Sequence, residues 1–501
     1  MTESIETPKA DRLVFGGLLL LLMWLPLPWA SHVPWAESLI VVLVYLLLTI
    51  WGFLAVCGKA SIRGRRQYRR LLWPLLLWLL WIGWIAIQVL PLSPQELAQL
   101  SMHAFNLSRM VTDAGLISPP VISISPGVTL DALLLTLGYF GLYWLLVLTC
   151  WQQPDRLRAV LGVLVLSGML QALYGSLMTL SGVEYGFLAK KLHYTGFATG
   201  TFVNRNHFAG YLELTAAAGI GLILADLRPR REVSTWRQRA SDFLTLLFSN
   251  KLRVRLALTI MAIGLVLSRS RMGNTAFFVS LCVCGLGYVL LRERQLAVKA
   301  SLLFIGLLLI DLFIVNHWFG LSEVVNRIQS TEMATESRIQ LYDELPPVVV
   351  AYAQTGSGLG TFAQAYSPYR SPEMRQYMDH AHNDYLEFLI ETGLPGFFIL
   401  LAFVCSHALH ALHVIVRRRS RLPAAVCFSA LMALVAYAIH ATVEFNLQIP
   451  ANAATLIVLL ALCACCSAQN KVKKATDHLE ADASTTDAMP RVHVHSKFLE
   501  F

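Results

Sequence analysis

"HAHNDYLEFLIETGLPGFFILLAFVCSHALHALHV", His380–Val414, changes character halfway along. Its first half crowds two histidines, an asparagine and the carboxylates Asp384, Glu387 and Glu391 together; from Gly393 onward it is almost wholly apolar. A helix needs about 20 apolar residues to cross a bilayer. This stretch therefore reads as a helix that starts in titratable chemistry and runs on into lipid. Residues 384–416 are too long for one straight span, so the helix either projects from the membrane or bends at "GLPG", Gly393–Gly396.

Similar apolar stretches recur along all 501 residues. Hydrophobic residues make up 56% of the chain and charged ones 14%, where a soluble domain carries about 25%. The mean hydropathy is +0.57. The fold class is an all-α polytopic membrane protein with about twelve spans, at 12–30, 36–57, 71–90, 128–150, 157–180, 207–226, 252–268, 273–291, 297–315, 384–416, 423–446 and 451–468. The first is too long for a signal-peptide core and lacks a small-residue cleavage site after it, so it reads as a retained span.

Basic residues orient the bundle. With both termini cytoplasmic, "KASIRGRRQYRR", "RPRREVSTWRQR", "RERQLAVK", "RRRSR" and the tail beginning "KVKK" all lie inside, as the positive-inside rule requires. This accounts for the net charge of +9 without a nucleic-acid partner. The chain then divides into spans one to nine (1–315), a large external loop (316–383), spans ten to twelve (384–468) and a polar tail (469–501) that reads as disordered. The nine cysteines lie in or beside apolar spans and read as packing residues.

Ten of the 40 Lys and Arg fall outside: Arg109, Lys190, Lys191, Arg205, Arg269, Arg271, Arg327, Arg338, Arg370 and Arg375. Arg269 and Arg271 share the short turn "LSRSRMGN", which forces both guanidiniums to the membrane face. A guanidinium matches phosphate oxygens with a planar fork of donors. Several at one depth suit a lipid-linked diphosphate; singly, each is better explained by pairing with lipid phosphate or a carboxylate, whereas the Arg269/Arg271 pair in so tight a turn points to function.

The histidines admit three readings. His382 is a general base, kept neutral by the helix dipole at a terminus capped by Asn383 or Asp384. Alternatively His380 and His382 bind a metal with Asp379 or Asp384. In the third reading both are satisfied interfacial histidines. Glu387 and Glu391, one turn apart, would orient partners or bind sugar.

The pattern resembles the O-antigen ligase and O-antigen polymerase superfamily of bacterial envelope enzymes. Its signature is His, then Asn, Ser or Gln, nine residues, then G-x-x-G. Here His382-Asn383 is followed by the nine residues "DYLEFLIET" and by Gly393-Leu394-Pro395-Gly396. "GTFVNRNHFAGYLEL", "SRSRMG" and "ESRIQLYDELPPVVVAYAQTGSGLGTF" also look like family segments, so the likeness covers about Gly200 to Gly396. The resemblance implies a metal-independent, cofactor-free glycosyltransferase at the periplasmic face of the bacterial inner membrane. It would move a glycan from undecaprenyl diphosphate to a hydroxyl of lipid A core or of a growing polysaccharide. Carried over by position, His382 is the base, while Arg269, Arg338, Arg271 and Arg205 hold the diphosphate. His380, Asn383 and Glu387 join them in binding substrate.

Other classes fit less well. A transporter of this size usually shows repeated halves and broken helices at mid-membrane, and no repeat is evident. A lipid-linked glycan flippase would share the arginines without needing the histidine signature. A protein O-oligosaccharyltransferase would share both and differ only in acceptor, and a membrane scaffold would need neither.

Overall fold

In the computed structural model, residues 9–60, 71–115, 119–151, 153–226, 250–292, 339–372, 374, 377–418 and 420–466 are described. Among them the regular elements are helices, and none is a strand. In order these are α1 (Lys9–Trp24), α2 (Pro34–Val56), α3 (Leu72–Val89), α4 (Pro94–Leu100), α5 (Met102–Asp113), α6 (Pro126–Cys150), α7 (Pro154–Ser181) and α8 (Arg205–Ala225). There follow α9 (Asn250–Leu267), α10 (Arg271–Arg292), α11 (Phe362–Tyr366), α12 (Asp384–Arg417), α13 (Arg421–His440) and α14 (Pro450–Cys465). Eight of them, α2, α3, α6, α7, α8, α10, α12 and α13, are long and apolar enough to cross a membrane. Among the described residues the fold is thus all-helical, with the apolar helices of a multi-pass membrane protein. The expected ninth span, the loop as far as Arg338 (with Arg327), Arg375 and the tail lie outside the described residues.

Several boundaries follow from residue chemistry. The expected first span runs on to residue 30, yet α1 stops at Trp24. Pro26 and Pro28 follow at once, and proline can neither donate to the helix ladder nor fit inside it. Pro34, Pro126, Pro154 and Pro450 each open a helix, where the missing N–H is harmless. The short pair α4 and α5 stands between the third and fourth expected spans. Ser93 and Glu96 close a reciprocal capping box there, a signal present in "SPQE".

Helix α8 is the core. It packs against α7, α9, α10, α13 and α14, and most of its side chains are buried. The sequence "GYLELTAAAGIG" makes this possible, because small residues let helix backbones approach closely where lipid gives no hydrophobic push. At Gly221 a Cβ would sit 2.9 Å from the Ala425 carbonyl of α13.

The connectors expected outside converge at one end of this bundle. Thr201 Oγ1 donates to Pro26 O at 2.5 Å, and Ala198 N to Leu267 O at 3.0 Å. Ile124 N donates to Ser357 O at 2.9 Å, and Asn383 Nδ2 to Thr442 O at 3.0 Å. The other end carries Arg156 on Asp11 and Arg158 on Asp226, each at 2.7 Å, and Arg292 on the Ile415 and Arg418 carbonyls.

Candidate functional site

The glycine half of the signature is a docking joint. At Gly393 (φ 63°, ψ −178°) helix α12 is bent, the second of the two outcomes expected from its length and "GLPG". A bend frees backbone groups that lipid could not satisfy. Each finds a partner. Leu394 N donates to Ala353 O at 2.8 Å; the Ile390 and Glu391 carbonyls accept from Ser357 N and Gly358 N at 2.9 Å; Thr392 O accepts from Trp84 Nε1 at 2.8 Å. Pro395 has no N–H to offer Glu391 O, and Gln88 Nε2 bonds that oxygen too, at 2.9 Å. The glycine turn "TGSGLG" supplies the partners because it can press onto α12. A Cβ on Gly356 (φ 78°) would overlap the Glu391 carbonyl, and one on Gly393 would lie 2.7 Å from Gly356 N.

Nearly three turns upstream of Gly393, Asn383 caps α12. Its Oδ1 accepts from Tyr385 N at 3.0 Å and Leu386 N at 3.1 Å. This settles the cap on Asn383 and gives the second signature residue a physical role. His382 stands just before it with φ at 50°, a backbone that non-glycine residues adopt only under constraint. The constraint is visible: Tyr342 OH donates to His382 O at 3.0 Å, and the imidazole sits edge-on to Phe445 at 5.0 Å.

His382 Nδ1 lies 3.5 Å from Glu444 Oε2. Glu444 is 1% exposed and belongs to the connector 441–449 after α13. The same carboxylate accepts from Asn206 Nδ2 at 2.5 Å and faces His207 Nε2 at 3.7 Å. Sequence reasoning passed over Glu444, Asn206 and His207. "VNRNH" held a signal for the last two, since it packs amide, guanidinium and imidazole into the first turn of a span. Glu444 carries no local signal.

His380 does something different. Its Nδ1 donates to Glu387 Oε1 at 2.6 Å, while Glu387 Oε2 accepts from Ala381 N at 2.8 Å. Burial alone would favour neutral His380, but the Glu387 charge and hydrogen bond outweigh it and raise the pKa to about 9. His380 is therefore a cation at pH 7, contrary to the neutrality expected of a histidine at a helix start. Nearby His32, 6.3 Å away ring to ring, is pushed down to about 4 by burial and by that cation. Phe445 gathers three imidazoles around one ring, with His380 stacked at 4.0 Å and His207 edge-on at 4.4 Å.

The arginines form the second half of the site. Arg205 lies over Phe197 at 4.3 Å and Arg269 over the same ring at 5.5 Å, so two expected ligands from different loops meet. Arg269 also has a left-handed backbone, φ 50°. Arg271 is exposed at the first position of α10, which Ser270 caps through Gly273 N at 3.2 Å. Asn206 and His207 follow Arg205 directly, so one turn of α8 joins the arginine cluster to the His382–Glu444 pair. Among the described residues no three His, Cys, Asp or Glu side chains are arranged to hold a metal.

Residues 256–401 match the family model described as O-antigen ligase, from early α9 to just past the bend of α12. This supports the O-antigen ligase and polymerase superfamily for this chain. The match includes Arg269, Arg271, His380, His382, Asn383, Glu387 and both signature glycines, and leaves out Arg205, His207 and Glu444. No curated protein matches the chain.

Proposed function

We propose that this protein is a glycosyltransferase of the bacterial inner membrane. It takes a glycan from undecaprenyl diphosphate and passes it to an acceptor hydroxyl, on lipid A core or a growing polysaccharide, at the periplasmic face. The observation that carries this reading is the juxtaposition of a histidine–carboxylate pair with arginine-headed helices at one end of the bundle.

In the reaction the acceptor oxygen attacks the anomeric carbon while His382 removes its proton through Nε2. Nδ1 faces Glu444, which stabilises the imidazolium that forms; contacts of this kind tighten once substrate is bound. The bond from the anomeric carbon to the diphosphate oxygen breaks, and the charge passes to the diphosphate. Arg205, Arg269 and Arg271 would meet that charge, with the amide ends of α8 and α10 beside them. Arg338 joins this set by its place in the family segment. His380 and Asn383 fix the turn on which the base is carried, with Glu387 acting through His380. The scheme needs neither metal nor cofactor.

A lipid-borne substrate also suits an apolar cavity of about 420 Å³ between α3, α6, α12, α13 and α14. Trp78, Trp81, Phe388 and Phe403 line it, and Asp384 and Tyr385, just past the signature histidine, stand in its wall.

The test is transfer by purified protein in detergent, from synthetic undecaprenyl-diphosphate glycan, with EDTA present. Release of undecaprenyl diphosphate coupled to acceptor glycosylation is expected, and His382→Ala should remove both. Donor bound but never turned over, with core and glycan acceptors offered, would favour a flippase.

A further inference from the structure

Below the site, inside the bundle, an ionisable pair has no part in the transfer scheme. Glu213 lies two turns into α8, and His440 is the last residue of α13. His440 Nδ1 donates to Glu213 Oε1 at 2.7 Å, and both side chains are 0% exposed. Ionisable groups in membrane spans are expensive and tend to be functional. Packing does not require this one, since an apolar pair of similar volume is commonly as stable or more so. Small residues already bring α8 and α13 together at Gly221.

The connector that begins after His440 supplies the reason. Most of the contacts by which it holds the signature turn are made within five residues of this histidine; the other is Leu447 N, which donates to Asp384 Oδ2 at 3.2 Å. Ala441 O and Glu444 O both accept from Asp384 N, at 3.0 and 3.3 Å. Thr442 O accepts from Asn383 Nδ2, Glu444 faces His382, and Phe445 stacks on His380. The root of the connector is tied by Val443 N donating to His440 O at 3.2 Å. On the α8 side, Glu213 lies on the same helix as Asn206, which holds the other Glu444 oxygen. The buried pair therefore joins the two elements that together aim Glu444.

We infer that Glu213 and His440 are positioning residues for transfer: their hydrogen bond fixes the root of the 441–449 connector against α8 and so holds Glu444 on His382 Nδ1. This rests on the His382–Glu444 reading. It adds that the placement is set from within the membrane, by residues that touch neither donor nor acceptor.

The experiment compares Glu213→Gln, Glu213→Asp and the apolar double variant Glu213→Leu/His440→Leu in the full-length protein. Turnover, donor KM and thermal stability are read for each, with His382→Ala as control. Misplacing a catalytic group by about 1 Å can cost about 100-fold in rate. Glu213→Gln should therefore lose about 10- to 100-fold in kcat with donor KM within about threefold, and Glu213→Asp should recover part of it. The double variant should keep its melting temperature and show the same loss. In a Glu444→Gln background, Glu213→Gln should add nothing further, because residues acting through one another are not additive.

Wild-type turnover in a folded double variant would overturn the inference, as would full additivity with Glu444→Gln. If neither Glu213→Gln nor the double variant folds, the pair belongs to folding, and the inference falls as well. Transfer that survives His382→Ala would instead remove the underlying reading, a separate result in the same assay.

Discussion

Three helices begin side by side at the site, and they begin in opposite ways. Asn204, Ser270 and Asn383 each cap one of them with a side-chain oxygen. The next residue is Arg205 for α8, Arg271 for α10 and Asp384 for α12. The positive end of a helix dipole favours acids in its first turn and disfavours cations. Helix α12 obeys, with Asp384 and Glu387; α8 and α10 carry no acid there and open with a guanidinium. Two such starts, with Arg269 beside them, concentrate positive potential as an anion site would. The acid-headed start organises histidines instead. In the proposed mechanism the contrast separates a charge-receiving side from a proton-handling side, joined by the α8 turn that carries both Arg205 and His207.

Each side can be disabled separately. Glu444→Gln removes the carboxylate behind the proposed base while keeping its shape; turnover should fall by about 100-fold, within the range general acid–base groups contribute, with donor KM little changed. A rise in KM at constant turnover would move Glu444 to the anion side. Arg205→Ala and Arg269→Ala should each weaken donor binding about tenfold or more, as the loss of one hydrogen bond to a charged group predicts. Unchanged titrations of lipid-linked donor against both variants would make these arginines structural.

Smaller effects are expected at the joint and the turn. Gly393→Ala places a Cβ against Gly356 N at a positive φ. With ψ near 180° this φ is essentially a glycine-only backbone that costs another residue about 1–3 kcal/mol, so the variant should melt earlier and expose its loop to protease. Resistance equal to wild type would show that the joint tolerates a side chain. His380 gives a pH signature. Its folded pKa, raised to about 9, lies above the unfolded value of about 6.5, so its contribution is full below about 6.5 and fades as pH rises through 9. Melting temperature should decline over that window in the wild type and flatten in His380→Gln. The smallest effect on activity should come from the far end, where Arg156→Ala breaks a buried pair with Asp11. It should lower stability and leave turnover per folded molecule within about twofold, because breaking such a pair strands a charge without touching the site. A change in donor affinity there would undo the division between the two ends.

Much of this architecture is legible in the sequence. Spans expected at 36–57, 71–90 and 128–150 are α2, α3 and α6 to within a few residues, because long apolar runs have one outcome in lipid. The bend of α12 was one of two outcomes that its length and "GLPG" left open, the other being a helix that projects from the membrane. His382, Asn383, Arg205, Arg269 and Arg271 were singled out by pattern as candidates, and the structure brings them to one end. Glu444 and the Glu213–His440 pair were not readable. A single glutamate in a short connector, or one acid in a small-residue helix, carries no periodicity or spacing; its meaning comes from what another helix places beside it. The expected span over 423–446 hid the first of these, because hydropathy runs smoothly past His440 where α13 in fact ends.

The most direct test measures donor binding and glycan transfer together in His382→Ala and in Arg269→Ala/Arg271→Ala. With His382 as the base, His382→Ala should bind undecaprenyl-diphosphate glycan like wild type and transfer none of it, while the arginine variant should fail first in binding. Transfer by His382→Ala at a rate near wild type, with EDTA present, would contradict that assignment.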